Sequence, residues 1–251
     1  MLEPVQIALL LGGGFVAGAI NTLAGGGSFL TVPLLIEVGL APTVANGTNR
    51  VAVLIQNLAA MTGFRQEGVP GPALALRLAP AALGGAWLGA WAASSVSEQL
   101  FARGFGAIML LALPVILWNP RPSGSGEVHR AYPLWLQLCL YFAIGLYGGA
   151  VQAGIGIPLL LALVAAGGLD LLRANSVKVV LIAALTAVAL LHFVAAGKVV
   201  WLPGLVLAAG SGAGGYVASR FGARVGERLI RPVLALAVIG AALRLLLAPA
   251  G

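Results

Sequence analysis

Two glycine-rich interruptions of apolar sequence decide the fold: GAINTLAGGGSFLTVP at residues 18–33 and GGAVQAGIGIP at residues 148–158. Each one leads into a short apolar run, 28–39 in the first case and 157–168 in the second. A helix over either run is about 18 Å long, whereas the hydrocarbon core of a bilayer is about 30 Å thick. Neither run can therefore cross a membrane alone as a straight helix.

The composition around these interruptions is that of a membrane protein. Of the 251 residues, 60% are hydrophobic and 8% are charged, whereas an ordinary soluble domain carries about 25% charged residues. The mean hydropathy is +1.03. We therefore predict an all-α polytopic membrane protein with about eight to ten membrane segments, some of them short half-helices broken at glycine.

Charge and residue usage exclude several classes of function. The net charge of +7 fits the basic cytoplasmic loops of membrane proteins, so no nucleic-acid partner is expected. The single cysteine, Cys139, excludes an internal disulfide and a thiolate metal site. Ser28 follows three glycines but lies in no G-x-S-x-G motif. We predict no catalytic residue, no metal and no cofactor, and hence no enzyme.

The apolar runs predict ten helices. They lie at about 5–23, 28–39, 44–63, 72–93, 100–118, 133–152, 157–168, 174–196, 201–217 and 229–247. The longest connection, residues 119–132, splits the chain near its middle and contains Pro120 and Pro122. We interpret this connection as a linker between two halves.

The two halves align without a gap at a shift of 129 residues. The matched pairs include Asn46 with Asn175, Phe64 with Phe193, and Glu98 with Glu227. Chance matches of Ala, Leu and Gly are easy in so biased a sequence, but matches of Asn, Phe and Glu are not. We predict one transmembrane transport domain over 1–251, made of homologous repeats at about 1–118 and 133–251.

The number of crossings decides whether these repeats are inverted or parallel. Five segments per repeat would make the second repeat enter from the opposite side, whereas four, with the short runs re-entrant, would make the repeats parallel. With ten crossings one side receives Arg65, Arg121, Arg130, Arg173, Arg220, Arg224 and Arg228, and the other receives Lys198 and Arg103. The positive-inside rule therefore favours inverted repeats with both termini outside the cytoplasm.

The glycine breaks and the polar segments after them predict a substrate site. Interrupted helices at corresponding places in two halves are typical of transporter sites, because the free N–H groups of a broken helix suit an anion. Asn46, Asn49, Arg50 and Asn57 share one helix face. The predicted substrate-binding residues are Asn21, Thr22, Gly25, Gly26, Gly27, Ser28, Asn46, Thr48, Asn49, Arg50, Asn57, Gln152, Gly154, Gly156, Asn175, Ser176 and Lys178.

Structural interpretations of the same residues remain open at this point. Glycines in membrane helices also allow close helix packing. Arg50 and Lys178 fit an anchoring role as well, in which a cation near a helix end reaches the membrane interface.

Three segments carry a resemblance to a known family: Gly18 to Leu35, Ala45 to Asn49, and Gly63 to Gly68. They resemble the sulfite exporter TauE/SafE family, which is also described as the toluene-sulfonate uptake permease family. The second half carries a degenerate repeat, with a shortened glycine run at 154–158 and Ala-Asn-Ser at 174–176. The resemblance implies a bacterial inner-membrane transporter for sulfite, organosulfonates or related small anions, in a family with both exporters and importers.

These observations predict a multi-pass transporter that moves sulfite, thiosulfate or organosulfonates by alternating access. Amides, hydroxyls, bare N–H groups and cations suit the several acceptor oxygens of such anions. The alternatives are an anion channel or facilitator, a permease for another small organic anion such as a carboxylate, and a membrane enzyme or non-transporting scaffold. The expected partners are the anion, membrane lipid and a coupling proton or sodium ion, and the oligomeric state stays open.

Overall fold

A computed structural model of the chain describes residues 2–23, 26–66, 73–118, 132–165, 169–221 and 227–247. These residues form ten helices and no strand. In chain order they are α1 (Pro4–Leu23), α2 (Ser28–Glu37), α3 (Pro42–Gln66), α4 (Ala73–Ser95), α5 (Glu98–Trp118), α6 (Leu134–Ala150), α7 (Gly156–Ala165), α8 (Leu171–Ala195), α9 (Trp201–Phe221) and α10 (Glu227–Leu247). The ten predicted helices are confirmed. Residues 119–131 of the linker predicted at 119–132 lie outside the described residues.

The two short helices are confirmed as well. α2 and α7 have 10 residues each, which corresponds to about 15 Å. α2 stops where Gly39 adopts a φ of 98°, a left-handed conformation that glycine accepts without steric cost. Asp170 directly precedes α8 and caps it, because its carboxylate accepts a hydrogen bond from the Arg173 N–H.

Glycines spaced four residues apart hold the long helices together. On α6, a Cβ at Gly145 or Gly149 would lie 2.1 Å from a backbone oxygen of α4. On α9, a Cβ at Gly210 or Gly214 would lie 2.2 or 2.0 Å from a backbone oxygen of α1. Because glycine has no Cβ, the helix backbones approach closely at these positions, as small residues allow in membrane proteins. No larger side chain fits there. These four glycines lie in helices outside the two breaks, and they serve helix packing.

The contacts between the halves are reciprocal. α1 packs against α9 and α6 against α4, while α3 packs against α9 and α8 against α4. α3 also meets α8, and α5 meets α10. When the helices of each half are counted from one to five, each of these contacts thus has a counterpart in which the two halves exchange places.

The helix surfaces fit a membrane environment. Among the described residues, Pro4–Leu23 and Leu172–Ala195 are long and apolar enough to cross a bilayer by length and composition. Ser28–Glu37, Leu134–Ala150, Gly156–Ala165 and Val238–Leu247 are shorter apolar helices. Large apolar side chains such as Trp91, Leu111 and Leu236 are exposed on the outside of the bundle. Extensive exposed apolar surface marks contact with lipid or another protein.

Candidate functional site

The polar face predicted along α3 is enclosed by the protein. Asn46, Asn49 and Arg50 are 0% exposed, and Asn57 is 1% exposed. Lys178 of α8 is also 0% exposed. A snorkelling side chain keeps its charged end in water, so neither Arg50 nor Lys178 is an interfacial anchor.

The polar end of α1 is tied to the middle of α3. The amide of Asn21 donates to Gln56 Oε1 at 2.7 Å, and Gln56 Nε2 donates to the Thr22 hydroxyl oxygen at 3.1 Å. All three side chains are buried. Gln56, which is absent from the predicted site residues, therefore joins the first break to α3. Gly25 lies outside the described residues.

A small cavity lies between the first break, α3 and α9. Its volume is about 10 Å³, which is room for about one water. The polar side chains that line it belong to Asn21, Ser28, Thr31, Asn49, Gln56 and Ser211. Neither amide atom of Asn49 nor the Thr31 hydroxyl has a hydrogen-bond partner in the described part of the chain. Buried polar atoms are nearly always paired, so these unpartnered atoms are exceptions in the described part of the chain.

The second break has a strained backbone. Gln152 has a φ of 63°, and Gly154 follows with a φ of 73°. A non-glycine residue in this left-handed region is uncommon, and such outliers concentrate at functional sites. Gln152 Nε2 donates to the Thr186 hydroxyl oxygen at 2.5 Å, whereas Gln152 Oε1 has no partner in the described residues.

The two breaks lie against each other in the core. A Cβ at Gly154 would lie 2.7 Å from the ring of Phe29, in the first turn of α2. Gly156 begins α7 directly after this contact. The predicted site residues come from both breaks, whereas the small cavity is lined from the first break and not from the second.

Arg50 binds the end of the broken helix in the opposite half. Its Nη1 donates to the Gly148 carbonyl at 3.1 Å, and its Nη2 donates to the Gly149 carbonyl at 2.5 Å. The amide of Asn46 donates to the next carbonyl of α6 at 2.9 Å. Phe193 stacks on the guanidinium, with 4.7 Å between Arg50 Cζ and the ring centre. Because the C-terminal end of a helix carries partial negative charge, the cation stabilises the broken end of α6.

Lys178 makes the reciprocal contact. Its Nζ donates to the carbonyl of Thr22 at 3.0 Å, at the end of α1, and to Asn175 Oδ1 at 2.7 Å. Each half of the chain thus supplies one buried cation to the broken helix of the other half.

The described partners of both cations are neutral. The ion pairs in the described residues lie elsewhere: Glu37 with Arg244, Glu98 with Lys198, and Asp170 with Arg173. The same part of the chain contains no group of three or more His, Cys, Asp or Glu that could hold a metal ion. The buried centre therefore carries positive charge that no described carboxylate compensates.

Other predicted residues support the helices around the site. The Thr48 hydroxyl accepts a hydrogen bond from the Val200 N–H at 3.0 Å, and Asn57 Nδ2 donates to the Val53 carbonyl of its own helix at 2.7 Å. Ser176 is buried beside Lys178. None of these three lines the cavity.

A polar cluster at the start of α3 was missed by sequence reasoning. Lys198 Nζ donates to the Thr43 hydroxyl at 2.8 Å and lies 3.5 Å from Glu98 Oε1. The Thr43 N–H donates to Glu98 Oε2 at 2.7 Å. Thr43 continues the face of Asn46 and Arg50 by one helical turn, and this spacing is the signal that would have included it.

Thr31 and Ser211 were also missed, and Thr186 is absent from the predicted site residues although it shares a helix face with Asn175 and Lys178. Thr31 lies one turn after Ser28, so helical spacing from the first break would have found it. Ser211 follows Gly210 within a glycine-rich packing segment, and no polar pattern marks it in the sequence.

Comparison with known proteins shows the family to which the chain belongs. The family model described as sulfite exporter TauE/SafE matches residues 10–245. The chain belongs to this family. The predicted resemblance is thereby confirmed, and the protein is a membrane transporter of the TauE/SafE family.

Several relatives of this TauE/SafE chain carry transporter names. The "Probable membrane transporter protein ORF9" of Sinorhizobium sp is 29% identical over 97% of this chain and 93% of its own length. The "Probable membrane transporter protein YfcA" of Escherichia coli strain K12 is 29% identical over 93% of this chain and 87% of its own. A "Probable membrane transporter protein" of Haemophilus influenzae is 28% identical, over 91% and 89%. No solved structure matches the chain.

Proposed function

We propose that this TauE/SafE protein is a multi-pass transporter that moves small sulfur-containing anions (sulfite, thiosulfate or organosulfonates) across the bacterial inner membrane by alternating access. The observation that carries the proposal is the pair of fully buried cations, Arg50 and Lys178, whose described partners are all neutral.

The electrostatics of this pair favour an anionic ligand. Removing an ion from water costs several kcal/mol even after the protein relaxes. The helix ends that Arg50 and Lys178 contact supply only about half an elementary charge each. A bound anion would neutralise the remaining positive charge, and the nearby amides and hydroxyls would donate to its oxygens. The choice of a sulfur anion over a carboxylate rests on the family.

The helix contacts also support the inverted arrangement. Lys198 and Thr43 are in contact, and the six helices α3 to α8 separate them along the chain. An even number of crossings returns the chain to the same side, whereas a re-entrant α7 would leave five crossings and place the two residues on opposite sides. The contact thus favours ten crossings, five per repeat, and inverted repeats.

The experiment is a binding screen followed by a flux measurement. Purified protein is heated with sulfite, thiosulfate, organosulfonates, sulfate and carboxylates, and a specific rise in Tm identifies the bound anion. Proteoliposomes then report flux of that anion with and without a proton or sodium gradient. Gradient-driven accumulation supports a coupled transporter. Flux that only equilibrates the anion indicates a channel or facilitator, a response to carboxylates alone indicates a different permease, and no flux of any anion contradicts transport.

A further inference from the structure

An open apolar groove runs along the outer face of α2, between α1 and α10. Its volume is about 550 Å³, within the range of about 300–1,000 Å³ that is usual for small-molecule sites. Gly12 of α1 and Gly240 of α10 line it, and a Cβ at either position would meet nothing within 4 Å. Val16, on the same wall as Gly12, is 46% exposed. The groove is therefore open to the surroundings of the helix bundle.

The lining of the groove changes from apolar to charged along α2. Leu30, Pro33 and Leu34 line its apolar part, and their spacing of three to four residues places them on one helix face. Glu37 follows on the same face as the last residue of α2, and Arg244 lies beside it in the last turn of α10. The rise from Leu30 to Glu37 is about 10 Å along the helix. The groove thus has an apolar length and one charged end.

The charged end lies at the level of the membrane interface. α10 has 21 residues, which corresponds to about 30 Å, the thickness of the hydrocarbon core. Its last turn therefore reaches the headgroup region. Arg244 and Glu37 form an ion pair there, with side chains that are 68% and 44% exposed. Among the described residues that line the groove, no other is charged.

A phospholipid has the same division into an apolar chain and a charged head. Each methylene that the groove takes up contributes favourable free energy, and the two charges at its end distinguish between headgroups. Phosphatidylglycerol carries a phosphate and no cation, so Arg244 would attract it and Glu37 would repel it. Phosphatidylethanolamine carries a phosphate and an ammonium group, which match the guanidinium and the carboxylate respectively. Because an exposed ion pair contributes little stability, both side chains can turn to the headgroup at small cost.

We propose that the groove is a lipid site, which holds one acyl chain of phosphatidylethanolamine with its phosphate on Arg244 and its ammonium on Glu37. The chain lies against Leu30 and Leu34 and fills the open space beside Gly12. None of the predicted substrate-binding residues lines this groove. The inference therefore goes beyond the proposed function and does not rest on it.

The headgroup part of the test compares two lipids. Purified protein freed of lipid is titrated in detergent with palmitoyl-oleoyl phosphatidylethanolamine and with palmitoyl-oleoyl phosphatidylglycerol, and native mass spectrometry counts the bound molecules. Wild type should bind the ethanolamine lipid more tightly. Glu37→Gln should reduce this preference by about threefold or more, because the partner of the ammonium and the repulsion of the glycerol lipid are both removed. Arg244→Gln should weaken the binding of both lipids. Asp170→Asn, which neutralises a carboxylate in another exposed ion pair, should leave the preference unchanged.

The acyl-chain part of the test fills the groove. Leucine fits at Gly12 and at Gly240 without a clash and occupies the space of the chain. Gly12→Leu and Gly240→Leu should therefore weaken binding of the ethanolamine lipid about tenfold or more. Gly104 of α5 is equally open but lies outside the groove, so Gly104→Leu should bind the lipid as wild type does. Each of these substitutions replaces a helical glycine, so the Tm should not fall in any of them.

Three results would overturn the lipid site. Equal binding of the two lipids by wild type, with no change of their ratio in Glu37→Gln, would contradict the headgroup contacts. Binding by Gly12→Leu and Gly240→Leu that equals that of Gly104→Leu would place the lipid elsewhere. A lipid-free wild-type dimer that Gly12→Leu converts to a monomer, measured by light scattering, would show that a second copy of the chain covers the groove.

Discussion

Lys178 reaches from the second half of the chain into the first, where its Nζ lies 3.0 Å from the carbonyl oxygen of Thr22. Arg50 reaches in the other direction, to the carbonyls of Gly148 and Gly149. Because both target carbonyls lie at the ends of interrupted helices, each half stabilises the break of the other. A movement of one half relative to the other therefore has to act on both breaks at once.

Lys178→Met should weaken both the fold and the anion site. A hydrogen bond to a charged group contributes about 1.5–3 kcal/mol, so the Thr22 carbonyl loses stabilisation of that order. Loss of the buried charge should lower anion affinity about tenfold to a hundredfold, measured by titration in detergent at fixed ionic strength.

Arg173→Met is the control for this variant, because Arg173 is an exposed cation on the same helix that pairs with Asp170. It should change affinity less than about twofold. An equally small change in affinity in Lys178→Met would leave Lys178 with a structural role alone if its Tm falls, and with neither role if its Tm is retained.

Arg50→Lys should lower the Tm of the protein, although it keeps the positive charge. The guanidinium donates to two successive carbonyls of α6 and stacks on Phe193, whereas a lysine ammonium is a point charge that cannot reproduce this planar contact. We expect Tm to fall in the order wild type, Arg50→Lys, Arg50→Met. Equal Tm values for Arg50→Lys and wild type would show that charge alone holds the end of α6.

The sequence predicts the positions of the helices better than the contacts between them. Ten apolar runs and two glycine breaks are local patterns, and the helices formed where these patterns indicated. The contact of Arg50 with α6 joins residues about one hundred positions apart, and no local pattern carries that information. The repeat alignment paired Asn57 with Thr186, yet Gln56 makes the contact equivalent to that of Thr186. Both contacts span 34 residues, so they correspond at a shift of 130 residues rather than 129.

Gln152 provides a test of backbone strain at the second break. Both Gln152→Gly and Gln152→Ala remove the hydrogen bond to Thr186, but only glycine accepts a φ of 63° without steric cost. Gln152→Gly should therefore be more stable than Gln152→Ala by about 1 kcal/mol. At the exposed helical position Thr62 the order should reverse, with alanine more stable than glycine. The same order at both positions would contradict the strained conformation.

Glycines in the breaks and glycines in the packed helices should respond differently to leucine. In Gly149→Leu the new Cβ alone would lie 2.1 Å from the Ala86 oxygen. α6 must therefore separate from α4, and the protein should be strongly destabilised. Gly26→Leu should abolish transport while leaving folded protein in the membrane, because Gly26 lies in the first break and outside the helices. Fluorescence-detected chromatography scores folding, and flux in proteoliposomes scores transport. Normal flux by the folded fraction of Gly26→Leu would reduce this break to a packing role.

The ten-crossing arrangement predicts which parts of the chain face the cytoplasm. Arg121 and Arg130 lie in the 119–132 connection, and Arg220, Arg224 and Arg228 lie at 218–228, so the positive-inside rule assigns both connections to the cytoplasm and both termini to the outside. Replacing Cys139 by serine gives a background for single cysteines at Ser125 and at the C-terminus. A membrane-impermeant maleimide added to intact cells should label the C-terminal cysteine, while Ser125→Cys should react only after the membrane is opened. Labelling of both cysteines from the same side would mean that the second half crosses the membrane an even number of times. The ten-crossing arrangement would then be wrong.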